Sequence, residues 1–414
     1  MDLTKALFKG DRVIWTVFFF LCVISVVEVY SASSMLSYKA AVRHFDPIVR
    51  HATFLIAGTA LIIMIQNMNM KGIRAVGFIA LVLGILFLLY AMVGGMKVND
   101  ASRWVSFFGI KFQPSEFAKL GVIITTAYIL SEFQEERNAS SKAFRWIMVI
   151  SGIICLLILK ENISTAVLLF AVVFLMMFIG RVSLKKLGIV AAIIISLGVI
   201  GAVTITHLPK SVLKETRFET AASRINSFTS GKDSEDEKID LNGKDCQKYY
   251  GKIAVANGKV FGMMPGNSET RDFLPQAFSD FIFAIILEET GLVGGVIVIF
   301  LYIILLFRVG IIARRSTKVF PALVIIGCAL IIAFQALINM SVAVGLIPVT
   351  GQPLPLISRG GTSTIISCIY FGVILSVSQY IARTNAKPQE ISQKEDISIE
   401  EAKAELEEAK EGIL

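Results

Sequence analysis

Long apolar stretches recur along almost the whole chain, and short polar stretches separate them. A helix needs about 20 apolar residues to cross the hydrocarbon core of a bilayer. The runs predict spans at roughly 13–33, 48–68, 75–95, 115–130, 146–159 and 163–180, a seventh ending near 208, and three more at about 280–307, 319–344 and 362–381. The fifth and sixth form a tight hairpin around Lys160-Glu161-Asn162. The fold class is therefore an all-α polytopic membrane protein of about ten transmembrane helices. One long extracytoplasmic loop, about 209–278, falls between spans seven and eight. The membrane domain covers 1–384, and 385–414 is an acidic cytoplasmic tail that breaks at Pro388 and regains helical spacing over 397–409. The basic segment 1–12 precedes the first run without a small-residue cleavage site and reads as the flank of an uncleaved span.

Composition agrees with this pattern. Hydrophobic residues make up 55% of the 414 and charged residues only 17%, with mean hydropathy +0.71; soluble domains run at about 45–50% apolar. The net charge of +8 does not point to nucleic acid, because the basic residues sit in short loops between spans. They follow the even-numbered spans and the N-terminus, which places both termini in the cytoplasm. The loops holding Arg103, Asp280 and Gly351 then share the opposite face. Five cysteines and three histidines show no disulfide framework or metal-ligand spacing. His44, His51 and His207 lie near helix ends and read as interfacial packing.

The long loop has two parts. Gly231 to Lys238 is strongly charged and reads as mobile, whereas Lys252 to Asn257 reads as a short amphipathic helix at the membrane surface.

Candidate chemistry lies where polar residues interrupt this pattern. Ionisable groups within spans are costly and mark function or a paired structural role. Glu28 lies in span one; Glu116 and Lys119 lie in span four at a spacing that lets them pair. Glu288 and Glu289 lie two turns into span eight, roughly 12–14 Å deeper than Asp280. Lys119 is a candidate to neutralise one of them as well as Glu116. Gln335 and Asn339 read as hydrogen-bonding glue between helices. Asp280 stands where a polar loop becomes an apolar helix, with Ser279 as an N-cap and the acid in the first turn, favoured by the helix dipole. An acid there is either a cap or a catalytic group at the water–lipid border.

Two outer loops suit a substrate. Asn99 to Glu116 offers Arg103, able to hold a phosphate bidentately, and Trp104, an aromatic face for a sugar. Gly345 to Ser363 is dense in Pro and Gly and carries Arg359. Such rigid non-helical backbone is tolerated at membrane depth only when buried in protein or lining a cavity. Two cations, a carboxylate and an apolar bundle facing outward suit a diphosphate carried on a lipid.

Three ordered motifs resemble the SEDS family of bacterial cell-shape, division and sporulation proteins. They are Arg103-Trp104 with Gln113-Pro114-Ser115-Glu116 … Lys119; Phe273-Leu-Pro275 … Ser279-Asp280-Phe-Ile-Phe-Ala with Glu289-Thr-Gly291; and Asn339 … Gly345-Leu-Ile-Pro348-Val-Thr350-Gly351 … Pro353-Leu-Pro355 … Ser358-Arg359-Gly360-Gly361. The resemblance covers all ten spans. It implies a peptidoglycan glycosyltransferase that polymerises lipid II beside a class B penicillin-binding protein, with other division proteins and membrane lipids around it. It implies the bacterial cytoplasmic membrane, at the septum. It puts Asp280 at the family's catalytic aspartate, and Arg103, Lys119 and Glu289 near the central cavity. Trp104, Glu116, Thr350, Ser358 and Arg359 complete the candidate substrate contacts.

Gly262-Met-Met-Pro265-Gly266-Asn267-Ser268 resembles the division branch rather than the elongation branch. The chain departs from the family pattern at Asp100, Ser102, Glu161, Asn162, Ser164 and Arg359. No cofactor is evident, and a divalent cation is compatible without being demanded by any ligand cluster. A lipid II flippase and a non-catalytic scaffold for the penicillin-binding protein are the two alternative readings.

Overall fold

The computed structural model describes residues 7–32, 46–94, 96–98, 101–107, 110–135, 138–207, 246–274 and 277–411. The charged segment 231–238 and His44 lie outside the described residues.

Eleven helices are described here in chain order. They are α1 Arg12–Ala32, α2 Asp46–Gln66, α3 Met70–Gly94, α4 Pro114–Glu132, α5 Ser141–Leu159, α6 Ile163–Ile179, α7 Leu184–His207, α8 Cys246–Gly258, α9 Ile282–Arg314, α10 Val319–Ala343 and α11 Thr362–Glu411. Eight are long and apolar enough to cross a membrane: α1, α2, α3, α5, α7, α9, α10 and α11. The other two in the apolar bundle are shorter or more polar: α6 has 17 residues, and α4 carries Glu116 and Lys119.

The architecture is helical with one addition. The loop after α3 holds three short strands, β1 Met96–Val98, β2 Ala101–Phe107 and β3 Ile110–Phe112, in antiparallel order β1-β2-β3. Trp104 pairs with Met96, and Val105 with Phe112. The pairing gives a polar outer loop internal partners for its backbone.

The bundle is centred on α10 and α11, with 67% and 72% of their apolar windows buried, against 11% for α7. Buried Phe18, Phe281, Phe371, Ile123 and Ile331 belong to one continuous core. α3 and α4 pack backbone to backbone: a Cβ on Gly121 would stand 2.4 Å from the Leu81 nitrogen. Without hydrophobic drive between helices in lipid, small residues at the contact permit this approach.

One face is clasped by the N-terminal segment. Asp11 Oδ1 accepts from the Val13 and Ile14 amides, capping α1, while both its oxygens take the Arg308 guanidinium, the shortest contact being 2.7 Å. Gln66 at the end of α2 bonds Lys9 N and Leu7 O. These contacts put segment 7–11, the end of α2 and the Arg308 end of α9 together.

Two expectations change. The tail does not break at Pro388, because α11 runs on to Glu411. Proline removes only one amide donor, and the Glu, Lys and Ala residues beyond it favour helix. Span eight is not one smooth helix: Gly291 (φ 68, ψ −168) kinks α9 and divides a short half-helix, 282–290, from the longer remainder.

Candidate functional site

The loop 345–361 is coil and turn, so its carbonyls need partners from elsewhere. Buried side chains supply them. Asn339 Nδ2 donates to Gln352 O (2.7 Å), Gln335 Nε2 to Pro353 O (3.1 Å), Tyr302 Oη to Pro355 O (2.6 Å) and Ser25 Oγ to Ile357 O (2.9 Å). Asn162 Nδ2 reaches Thr350 O at 3.4 Å, and Gln352 Nε2 donates to Thr165 Oγ1 at 2.5 Å. Asn162 and Thr165, in a stretch where the sequence departs from the family pattern, therefore support this loop. Gln335 joins helices as expected, accepting from Lys119 of α4, and also holds a loop carbonyl, whereas Asn339 holds the carbonyls of Asp280 and Gln352.

The same loop holds the turn that carries Asp280. Three consecutive carbonyls are fixed: Phe278 O accepts from Arg359 N (2.9 Å), Ser279 O from Ser358 Oγ (2.6 Å) and Asp280 O from Asn339 Nδ2 (2.9 Å). The Asp280 side chain is half-buried, and its Oδ1 accepts from Ser279 Oγ at 3.0 Å. A clamped backbone beneath a half-buried carboxylate is the arrangement a preorganised base needs.

Ser279 is not the N-cap, and Asp280 is not in the first turn. α9 begins at Ile282, with Phe281 at the cap position and no side-chain cap bond. Ser279 spends its hydroxyl on Asp280, and its carbonyl is drawn to Ser358. Ser358 itself is buried and occupied, accepting from Leu354 N (2.7 Å) while donating to Ser279 O. It supports the turn.

Arg359 lies half-buried with its guanidinium 5.4 Å from the centre of the Phe278 ring. Burial lowers its pKa from the usual arginine value, and the charge of Arg50 pushes the same way. Arg359 itself stands beside the Asp280 turn, its amide donating to Phe278 O. Arg50 escaped the sequence reading, although a basic residue at the start of span two, away from the basic loops after the even-numbered spans, was a signal.

Lys119 pairs with Glu116 at 2.7 Å, as their spacing predicts, and also donates to Gln335 Oε1 at 3.0 Å. Lys119 is fully buried. Its bonds thus lead through Gln335 to the 345–361 loop and not to Glu288 or Glu289. Those two acids have other partners. Ser31 Oγ donates to Glu289, whose carboxylate is 4.0 Å from Arg271 Nη1. Arg271 Nη1 also donates to Ser31 Oγ at 3.0 Å.

Around the kink, Met263 N and Met264 N donate to the carbonyls of Glu288 and Glu289 (3.0 and 2.8 Å), and Leu292 N to Lys259 O (3.0 Å). A Cβ on Gly291 would lie 2.3 Å from Val260 O, so positive φ and lack of space both require glycine there.

Arg103 and Trp104 belong to β2; their side chains lie outside the described residues. Thr350 is half-buried with its carbonyl held by Asn162. His51 is buried rather than interfacial, with Nε2 2.6 Å from Ser25 Oγ. Among the described residues no group of three or more His, Cys, Asp or Glu is placed to hold a metal ion.

A multi-span helical bundle with a clamped acid at one mouth defines a class of membrane protein, and comparison places this chain within it. Residues 11–383 match the model of the cell cycle protein family that groups FtsW, RodA and SpoVE. The chain belongs to that family, the SEDS family its motifs resemble.

It is 31% identical over 388 residues to the probable peptidoglycan glycosyltransferase FtsW of Enterococcus hirae, covering 90% of this chain and 94% of that one. It is 30% identical over 364 residues to the protein of the same name from Hahella chejuensis, covering 86% and 87%.

Among solved structures, it resembles a chain described under "Structural coordination of polymerization and crosslinking by a peptidoglycan synthase complex". The TM-score is 0.69 at 22% identity, covering 90% of this chain and 98% of that one. It also resembles the rod shape determining protein RodA of Thermus thermophilus, with a TM-score of 0.62 at 21% identity over 89% and 97% of the two chains. At these identities the structural likeness concerns the fold.

Proposed function

We propose that the chain is a peptidoglycan glycosyltransferase that polymerises lipid II during cell division, with Asp280 as the general base. The observation that carries this reading is the turn at 278–280. Three consecutive carbonyls are clamped from α10 and the 352–359 loop, and the acid stays half-exposed.

In the reaction, the acceptor sugar's 4-hydroxyl oxygen attacks the donor's anomeric carbon. The bond from that carbon to the diphosphate oxygen breaks, and the lipid diphosphate leaves with the electron pair. Asp280 takes the hydroxyl proton as the new bond forms, which asks it to be in hydrogen-bond reach of that oxygen. Arg359 and, on β2, Arg103 stabilise the charge developing on the diphosphate. Trp104 offers a face for a sugar ring. Lys119 and Glu116 fix the interior through Gln335, and Ser358 and Asn339 set the turn. Thr350 lies on the wall of the same loop. A divalent cation could share the charge stabilisation, held by the diphosphate itself.

The names of the relatives support polymerisation in division. The complex to which one solved chain belongs supports a synthase partner, here a class B penicillin-binding protein beside other division proteins. The basic loops support cytoplasmic termini in the bacterial inner membrane, with the Asp280 face outside and the protein working at the septum. Positions 1–384 form the catalytic membrane domain and 385–414 a cytoplasmic tail.

The test is polymerisation of purified lipid II in detergent by the chain and its class B partner, read as glycan ladders. Detergent leaves no second compartment, so a flippase alone makes no ladder, and neither does a scaffold. Ladders blocked by no transpeptidase inhibitor support the reading; their absence sinks it.

A further inference from the structure

Glu288 is fully buried in the short half-helix of α9, eight positions beyond Asp280. Its Oε1 accepts from Asn257 Nδ2 at 3.1 Å and from the Thr270 amide at 3.4 Å. Its Oε2 accepts from Thr270 Oγ1 at 2.5 Å and from Ser268 Oγ. Four donors on two oxygens nearly fill the acceptor capacity of an ionised carboxylate. None of the four is a charged group, unlike the partner of Glu116.

The donors come from α8 (Asn257), from Thr270 at the start of the 3-10 turn Thr270–Asp272, and from Ser268 two positions before that turn. The Thr270–Glu288 bond spans 18 positions and closes a loop with Asp280 inside it.

We propose that Glu288 is a positioning residue for Asp280. Its carboxylate ties the chain entering the Asp280 turn to the half-helix leaving it. The 352–359 loop grips the same turn by its carbonyls from the other side. Neither grip touches the reacting atoms, yet both must hold for the acid to stand at a fixed place. A misplacement of about 1 Å can cost about a hundredfold in rate. The inference rests on the reading of Asp280 as the base.

The test compares the full chain carrying Glu288→Ala or Glu288→Gln with wild type, each with its class B partner, in lipid II polymerisation and in amide hydrogen exchange over 259–274. Glutamine keeps the size and one carbonyl acceptor, and its amide can donate to the two hydroxyls. The expected result is a fall of about 10–100-fold in kcat for Glu288→Ala with KM within about twofold, largely restored in Glu288→Gln. Exchange at Thr270 and Arg271 should speed up at least about tenfold in the alanine variant.

An unchanged kcat in a folded Glu288→Ala protein, or unchanged exchange, overturns the proposal. So does a rise in KM at constant kcat, which would make Glu288 a substrate contact. If Glu288→Ala fails to fold, Asn257→Ala, which removes one donor, carries the test with an expected severalfold loss of kcat; no loss overturns the proposal. If wild type makes no glycan, the reading of Asp280 fails, and the exchange arm still decides whether Glu288 holds the loop.

Discussion

Glu116 and Glu288 are both buried acids in apolar helices, but their charges are met by different means. Glu116 has a formal counter-charge, Lys119, one helical turn away. Glu288 has hydroxyls and amides from α8 and the turn after it, 18 to 31 residues upstream. The first arrangement is local and closes within α4, reaching out only through Gln335. The second is long-range and is complete only when loop and helix have come together. A cation partner keeps a charge tolerable inside the bundle; neutral donors drawn from α8 and from residues 268–270 give those segments one fixed position. The comparison separates acids that hold the scaffold from acids that hold the site.

Four substitutions break or sharpen this contrast, in order of expected effect. Lys119→Met should destabilise the protein by about 3–5 kcal/mol, because it leaves Glu116 uncompensated in the interior. Thermal unfolding in detergent measures this, and adding Glu116→Gln should recover most of the loss; failure to recover would mean Lys119 has another duty. Gly291→Ala should cost about 2–3 kcal/mol from positive φ and the missing space. It should loosen the 259–264 turn in hydrogen exchange while the Lys119–Glu116 region stays protected.

Asn339→Ala strips donors from Asp280 O and Gln352 O and should cost about 1–2 kcal/mol. Its polymerisation loss should exceed what that stability change explains, as judged by rate at a fixed folded fraction. Smallest is Arg359→Lys, which keeps the charge but not the planar fork. A severalfold weaker use of lipid II, with unfolding temperature unchanged, is expected in initial-rate titrations.

Much of the scaffold was legible. The apolar runs gave the helices because a bilayer demands them, and the Glu116–Lys119 pair followed from helical spacing alone. That the Pro/Gly loop is non-helical backbone buried against the helices also followed from local signals. What stayed hidden depended on contacts distant in sequence. Nothing near Ser279 says that its carbonyl will be taken by Ser358, so an N-cap was the natural expectation, and the helix begins later. The kink at Gly291 was masked by the long apolar run around it; its signal was a glycine closing the polar interruption Glu288-Glu289-Thr290. The partners of Glu288 sit in a loop whose pairing no periodicity reports. Lys119 looked available to the Glu288–Glu289 pair because spacing along one helix says nothing about which neighbour faces it. The strands at 96–112 were missed because their segments are only three to seven residues long.

The most direct measurement is the rate of lipid II polymerisation by wild type, Asp280→Asn and Asp280→Glu, each purified with the class B partner and matched for folded protein. Asparagine keeps the shape and the Ser279 contact but cannot take a proton. No ladder from Asp280→Asn, with a weak one from Asp280→Glu, is the predicted result. A full ladder from Asp280→Asn would contradict the account, because the clamped turn would then be presenting something other than a base.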